Sequence, residues 1–371
     1  MTDRVHSLDA MRLVAVVSVV LIHTDPFQGL GAAGNAVNFG IKTTARFAVP
    51  FFFLASGYFF AAKTVDRDPR EYLSRRVVSI GSLYAFGLAL AAPAFLGGRV
   101  ASDTAAGRPL LAAVGTRVAE FLDPVELLYY GTSVSEILWF LPALLVSLAL
   151  VAAFATTERT TAALVAVAAC LHAVGLLGTS YTMFVDVPFE VRDGLFFGFF
   201  YVSLGYAVAR SDRTPSRELS PILLGLVGCF AVLQLAEFAL LGYPLRGEAF
   251  GSYVFAPSYG IFTAFLALSI FLFLLSRPTL GAGTPLPSWG AYAVGIYVVH
   301  PVVLAAVRGV REALAASGPA SVAAAFWHLG ATPATVLGAL ALYLLADRLR
   351  IVQIGGSHFP GAPLLSSRRS R

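Results

Sequence analysis

The feature that most constrains this chain is a series of apolar runs, each close to 20 residues, separated by short arginine-bearing connectors. A bilayer core about 30 Å thick needs about 20 apolar residues per helix, at about 1.5 Å rise per residue. Runs fitting that length lie near 9–28, 44–62, 77–97, 136–155, 161–179, 192–209, 220–241, 254–275, 290–309 and 326–346. Composition agrees: of 371 residues, 57% are hydrophobic and only 13% charged, against about a quarter charged in soluble domains. The charge deficit runs the length of the chain. The expected fold is therefore all-α, a polytopic bundle of about ten transmembrane spans, and a soluble enzyme is excluded.

Lys and Arg concentrate in alternate connectors. Residues 63–76 hold Lys63, Arg67, Arg70, Arg75 and Arg76, and residues 210–217 hold Arg210, Arg213 and Arg217. The positive-inside bias then predicts both N- and C-termini in the cytoplasm, in a cell-membrane protein. The net charge of +5 reflects this topology signal and is no sign of nucleic-acid binding. Cys170 and Cys229 lie inside apolar runs, where a structural disulfide is not expected. The first run carries no small-residue cleavage site and reads as a retained helix. Residues 1–354 form one membrane domain, and the Gly-, Pro-, Ser- and Arg-rich segment 355–371 reads as a disordered cytoplasmic tail. The long outer segment 98–135 contains an amphipathic stretch near 110–122, either a lid over an outer site or a plain surface loop. No internal repeat is evident.

Ionisable groups within spans are costly and mark functional candidates. Arg12 and His23 stand 11 positions apart in the first run. At about 100° per residue they share a helix face, about 16 Å apart along the axis. That arrangement suggests a polar passage with a cation at the inner mouth and an imidazole in the outer half. Taken singly, Arg12 also reads as a helix-end arginine paired with Asp9, and His23 as an interfacial histidine. His300 should lie at a similar depth. Pro301 follows it and frees a backbone carbonyl, so a structural histidine bonded to that carbonyl is the alternative. Arg46 lies close to the outer end of the second run, either placing positive charge near His23 or serving as an interfacial anchor. His172, Gln234 and Glu237 read as interhelical hydrogen-bonding groups. No metal-ligand spacing, phosphate loop or nucleophile elbow is present.

Leu8-Asp9-Ala10-Met11-Arg12 followed by His23 resembles the opening of the acyltransferase-3 family of integral membrane acyltransferases. Further stretches resemble that family in the same order. They are Pro50-Phe51-Phe52 to Ser56-Gly57-Tyr58, Leu138-Trp139-Phe140-Leu141, Leu204-Gly205-Tyr206, and Gly295-Ile296-Tyr297-Val298-Val299-His300. After the second run the chain departs from the family. Ser79 stands where a second arginine is usual, and Gly81-Ser82 replace the proline region.

The resemblance implies transfer of an acyl group, commonly acetyl, from cytoplasmic acyl-CoA to a hydroxyl of an extracytoplasmic glycan or lipid-linked acceptor. Arg12, Arg75 and Arg76 would then meet the CoA phosphates. His23 would act as general base on the hydroxyl. His300 would orient His23, bind acceptor or stabilise the oxyanion, and Arg46 and Tyr297 would contact substrate. Acyl-CoA enters as co-substrate, with no metal. The competing reading is a multi-span transporter of a small polar solute, since intramembrane His and Arg also suit a proton-coupled carrier.

Overall fold

The computed structural model describes residues 4–155, 161–185, 187–211, 214–252 and 257–349, and these are helical with no strand among them. In chain order the α-helices are α1 (His6–Thr24), α2 (Gly31–Ala45), α3 (Ala48–Lys63), α4 (Pro69–Ala105) and α5 (Leu110–Phe121). Then come α6 (Phe140–Ala155), α7 (Thr161–Thr179), α8 (Phe199–Arg210), α9 (Ser220–Gly242) and α10 (Ile261–Ser276). The short α11 (Leu286–Trp289), α12 (Ala293–Ser317), the short α13 (Ala320–Ala325) and α14 (Ala331–Arg348) complete the bundle. Tail residues 355–371 lie outside the described residues.

Each of the ten apolar runs contains a helix, and among the described residues seven helical segments are long and apolar enough to cross a membrane. The other three, Phe140–Ala155, Gly194–Arg210 and Ile261–Ser276, are shorter. A helix of 16 residues such as α6 or α10 reaches about 24 Å, less than the about 30 Å core. Several boundaries differ from the sequence expectation. α4 begins at Pro69 and continues to Ala105, so part of the segment assigned to the outer loop is helix. Asp68 starts it by accepting from the Arg70 amide at 2.9 Å, a side-chain N-cap. α2 was not expected at all, because its sequence GAAGNAVNFGIKTTA is weakly apolar.

Burial separates centre from periphery. Of the α1 window and of the α11–α12 window 61% is buried, against 17% for the window around α9. The core is aromatic, with Phe51, Phe53, Phe60, Phe199, Tyr201 and Phe271 all at 2% exposure or less. α3 and α8 meet backbone to backbone. A Cβ on Gly57 would collide with the Val202 carbonyl, and one on Gly205 with the Leu54 carbonyl. Small residues permit this approach, as at many membrane helix crossings.

The polar residues expected to join helices do so. Gln234 donates to the Thr43 carbonyl at 2.5 Å, tying α9 to the end of α2. Glu237 accepts from the Ile261 amide at 2.7 Å, the Phe262 amide at 3.0 Å and the Tyr181 hydroxyl at 2.6 Å. Its carboxylate thus satisfies orphan donors at the α10 N-terminus, where the helix dipole favours negative charge. His172 Nδ1 lies 3.1 Å from the Phe196 carbonyl, and its ring stacks on Phe200 and Tyr259. These three side chains are structural.

Candidate functional site

α1 carries both residues of the expected passage, and its two ends open on different cavities. Near its N-terminal end, Arg12 lines a small cavity of about 40 Å³ with Phe52, Phe59, Tyr72, Arg76 and Phe140. Arg12 is 7% exposed. Its Nη1 bonds Asp9 Oδ1 at 2.7 Å, and its guanidinium lies 5.2 Å from the Phe59 ring centroid. Asp9 also receives Arg4 Nε at 2.8 Å. The paired-arginine reading of Arg12 is therefore part of the structure, and it fixes the guanidinium at the cavity wall. Arg76 bonds the Tyr72 hydroxyl at 2.9 Å through Nε and joins Arg12 in the lining. Arg75 does not. Its side chain is 64% exposed and paired with Glu71, one helical turn away, because adjacent positions on a helix diverge by about 100°.

Near the C-terminal end of α1, His23 lines a second cavity of about 340 Å³. Arg46, Arg99, Glu136, Trp139, Arg192, Ser258, Pro301 and Arg308 share this lining. His23 occupies the last turn because α1 stops at Thr24, earlier than expected. Asp25 and Phe27 adopt positive φ, 46° and 68°. Left-handed conformations on such residues cost of order 1–3 kcal/mol and persist only where surroundings impose them. Here Asp25 pairs with Lys42 at 2.6 Å, Asn38 donates to the Pro26 carbonyl at 2.9 Å, and the Phe27 amide donates to His328 Nδ1 at 2.9 Å. The turn after His23 is thus held from α2 and from the helical segment before α14.

The ring of His23 has no hydrogen-bond partner among the described residues, so both nitrogens are available to a ligand in the cavity. Its neighbour is His300, with ring centroids 5.8 Å apart. His300 is fully buried. Its Nδ1 lies 2.6 Å from the Tyr297 carbonyl oxygen. A carbonyl can only accept, so Nδ1 carries the proton and Nε2 is the bare nitrogen. Tyr297 is four residues before Pro301, whose missing N–H would otherwise have bonded that carbonyl. The structural reading of His300 therefore holds for Nδ1, while Nε2 is buried without a partner. Replacing His300 by alanine leaves the Tyr297 carbonyl orphaned. The expected cost is about 1–3 kcal/mol, read as a lower thermal unfolding midpoint in detergent, and Pro301→Ala in the same background should restore part of it.

Tyr297 is engaged in the fold instead of in either cavity. Its hydroxyl donates to the Ile137 carbonyl, and its ring packs at 5.3 Å on Phe140. The chain of contacts His23, His300, Tyr297, Phe140 runs from one cavity to the other. Phe53 adds to it, 4.8 Å from Phe140 and 6.3 Å from Trp139. The expected continuous passage is in this conformation two cavities with an aromatic layer between them. Helix α5 does not contribute to the lining of the second cavity. Arg117 pins it to the end of α4 through both oxygens of Asp103, at 2.8 and 2.9 Å.

The three short helices explain the larger cavity. α6, α8 with its preceding π-helical turn, and α10 are each preceded by irregular backbone. Residues 134–137, Arg192, Ser258 and Tyr259 from those segments line the space around His23. Irregular backbone at membrane depth is tolerated where it borders a wet cavity. Arg46, Arg99, Arg192 and Arg308 come from four separate segments and converge there, a cluster of which sequence reading found only Arg46.

Residues 5–344 match the acyltransferase-3 family model, described as an acyltransferase domain. The chain belongs to this family. It is also similar to an amino-acid racemase of Enterococcus faecalis, 25% identical over 330 residues. That match covers 84% of this chain but 43% of the relative, so the chain spans less than half of that protein's length. No solved structure matches. No group of three or more His, Cys, Asp or Glu residues suited to a metal ion occurs among the described residues.

Proposed function

We propose that this protein is a membrane-embedded O-acyltransferase of the cell membrane. It moves an acyl group, acetyl in the simplest case, from cytoplasmic acyl-CoA to a hydroxyl of an extracytoplasmic glycan or lipid-linked acceptor. The observation that carries this reading is His23. It stands on the wall of a cavity large enough for a ligand, with no hydrogen-bond partner for its ring among the described residues, in a chain whose residues 5–344 match an acyltransferase family.

Both termini are assigned to the cytoplasm from the arginine distribution, which puts the Arg12 cavity on the inner side and the His23 cavity on the outer. Arg12 and Arg76 are the cations at the inner mouth, where they would meet CoA phosphate. At about 40 Å³ the inner cavity holds little more than a water. Its mostly aromatic lining must part before a pantetheine arm passes toward His23. At the outer cavity His23 takes the proton as the acceptor oxygen attacks the thioester carbonyl. The C–S bond then breaks, and the departing thiolate regains that proton. His300, with Nδ1 bonded to backbone, packs behind His23 and limits its movement.

The test is release of free CoA thiol by the protein in nanodiscs, with acetyl-CoA and a crude surface-glycan extract. Acceptor-dependent release is expected. If no acyl-CoA is consumed while an intact solute crosses sealed vesicles containing the protein, the enzyme reading fails and the carrier reading replaces it.

A further inference from the structure

The cavity around His23 is rich in cationic side chains. Four arginines line it: Arg46 between α2 and α3, Arg99 on α4, Arg192 before the π-helical turn, and Arg308 on α12. Glu136 is the one carboxylate in the lining among the described residues. None of the four arginines forms an ion pair with a carboxylate among the described residues. Glu190 accepts from the Arg192 backbone amide at 2.9 Å, and three other acids are engaged elsewhere. Asp25 holds Lys42 at 2.6 Å, Asp103 holds Arg117, and Asp193 accepts from the Tyr129 hydroxyl at 2.7 Å and the Phe196 amide at 2.8 Å. Arg46 Nε is buried without a hydrogen-bond partner. A buried charged donor left unpaired is costly, while Arg99 and Arg308 are exposed, where repulsion between cations is screened. A ligand bearing negative charge pairs the buried donor and draws on the exposed cations as well.

Two of the guanidinium groups are oriented as well as present. Arg192 lies 5.3 Å from the Trp139 ring centroid and reaches the Ser258 hydroxyl at 3.4 Å. Arg308 reaches the His23 carbonyl at 3.5 Å, which places its cation beside the proposed base. A single cation would suffice for an oxyanion forming at the thioester carbon. Four exceed that need, and they match a carboxylate or phosphate carried by the acceptor itself, which arginine binds through two parallel hydrogen bonds.

We infer that the acceptor is anionic, a hydroxyl compound carrying a carboxylate or phosphate that Arg46, Arg99, Arg192 and Arg308 grip while the hydroxyl faces His23. This rests on the acyltransferase reading for the word acceptor, but the binding of the anion does not. The two sources of such a group are a carboxylated sugar of a glycan and the phosphate of a lipid-linked sugar.

The experiment measures binding by the full chain in phosphatidylcholine nanodiscs, using equilibrium dialysis and thermal stabilisation. The probes are glucuronate, glucose, inorganic phosphate, and a polyprenyl phosphate built into the disc. At least one anion should bind about 10-fold or more tightly than glucose, the size of one lost charge-assisted contact. Arg192→Gln and Arg308→Gln should each weaken it about 10-fold, and Gly225→Ala, where a Cβ meets nothing within 4 Å, should leave it unchanged. Stabilisation by polyprenyl phosphate alone assigns the lipid source, and stabilisation by glucuronate assigns the sugar source. If glucose binds as well as the anions, if the arginine variants bind anions as the parent does, or if no probe binds, the inference is overturned. Should Arg192→Gln fail to fold, Arg308→Gln, on exposed α12 surface at the cavity rim, carries the test. Anion binding that survives while CoA release is never seen removes the acyltransferase reading and leaves this one standing.

Discussion

Replacing His23 by alanine is expected to lower acceptor-dependent acyl transfer by about 10²–10⁴-fold, the usual contribution of a positioned general base. The protein should stay folded, because the His23 ring makes no hydrogen bond that holds the bundle together. The His23 backbone carbonyl accepts from Arg308 at 3.5 Å, a contact that alanine keeps. Thermal unfolding of parent and variant in the same detergent checks this, and a variant that unfolds more than a few degrees earlier would remove the catalytic interpretation. A second readout separates base from spacer. The neutral imidazole is the active form, so the rate of the parent should fall as pH drops through the titration of His23. The residual rate of His23→Ala should show no such step. His300→Asn should behave differently. It alters the packing behind His23 and leaves the imidazole of the base in place, so a smaller loss of rate with the pH step retained is expected.

The largest structural effect is expected at the crossing of α3 and α8. Gly57 faces the Val202 carbonyl and Gly205 faces the Leu54 carbonyl, reciprocally and at backbone contact. Alanine at either position drives a methyl group into a main-chain oxygen that cannot rotate away. The helices must then separate, which loosens Phe53 and Phe60 beneath them, both essentially unexposed. Overpacking of this kind costs about 1–3 kcal/mol per site. With both glycines replaced, the protein is expected not to assemble. Gly225→Ala is the control, since a Cβ there meets nothing within 4 Å and alanine is the better helix former. Size-exclusion profiles and unfolding midpoints in one detergent compare the three. Equal midpoints for Gly205→Ala and Gly225→Ala would mean that the close approach does not matter to stability.

Loss of the crossing would also reach the site, because α3 carries Phe52 and Phe53. Phe52 lines the inner cavity, and Phe53 packs on Phe140 and Trp139, which line one cavity each. Stability and activity are thus coupled through the aromatic layer. Single-cavity variants such as His23→Ala should not show that coupling.

Much of the molecule is legible in its sequence. Apolar run length alone gives an all-helical membrane chain, because in hydrocarbon each backbone N–H and C=O must be satisfied within the helix. α7 and α9 follow their apolar runs almost residue for residue, since both face the periphery and answer mainly to hydropathy. The pairing of Arg12 with Asp9 and the bonding of His300 to a proline-freed carbonyl also follow from local spacing, three and four residues along a helix. The interhelical roles of Gln234 and Glu237 are equally visible, as polar groups in apolar runs must find partners.

What the tertiary structure decided lies where helices depart from their apolar runs. The early end of α1 after His23 depends on Lys42, Asn38 and His328, residues 14 or more positions away whose reach no local pattern reveals. The same holds for the aromatic layer that divides the expected passage in two. Adjacent arginines 75 and 76 look alike in sequence, yet packing turns one to solvent and the other to a cavity. The gathering of Arg46, Arg99, Arg192 and Arg308 around His23 joins positions up to 262 residues apart. Hydropathy and spacing act over one or two helical turns, so they fix which segments enter the membrane. Which side chains then face one another is set by how the helices cross, and that depends on contacts such as Gly57 and Gly205 that carry no polarity signal at all.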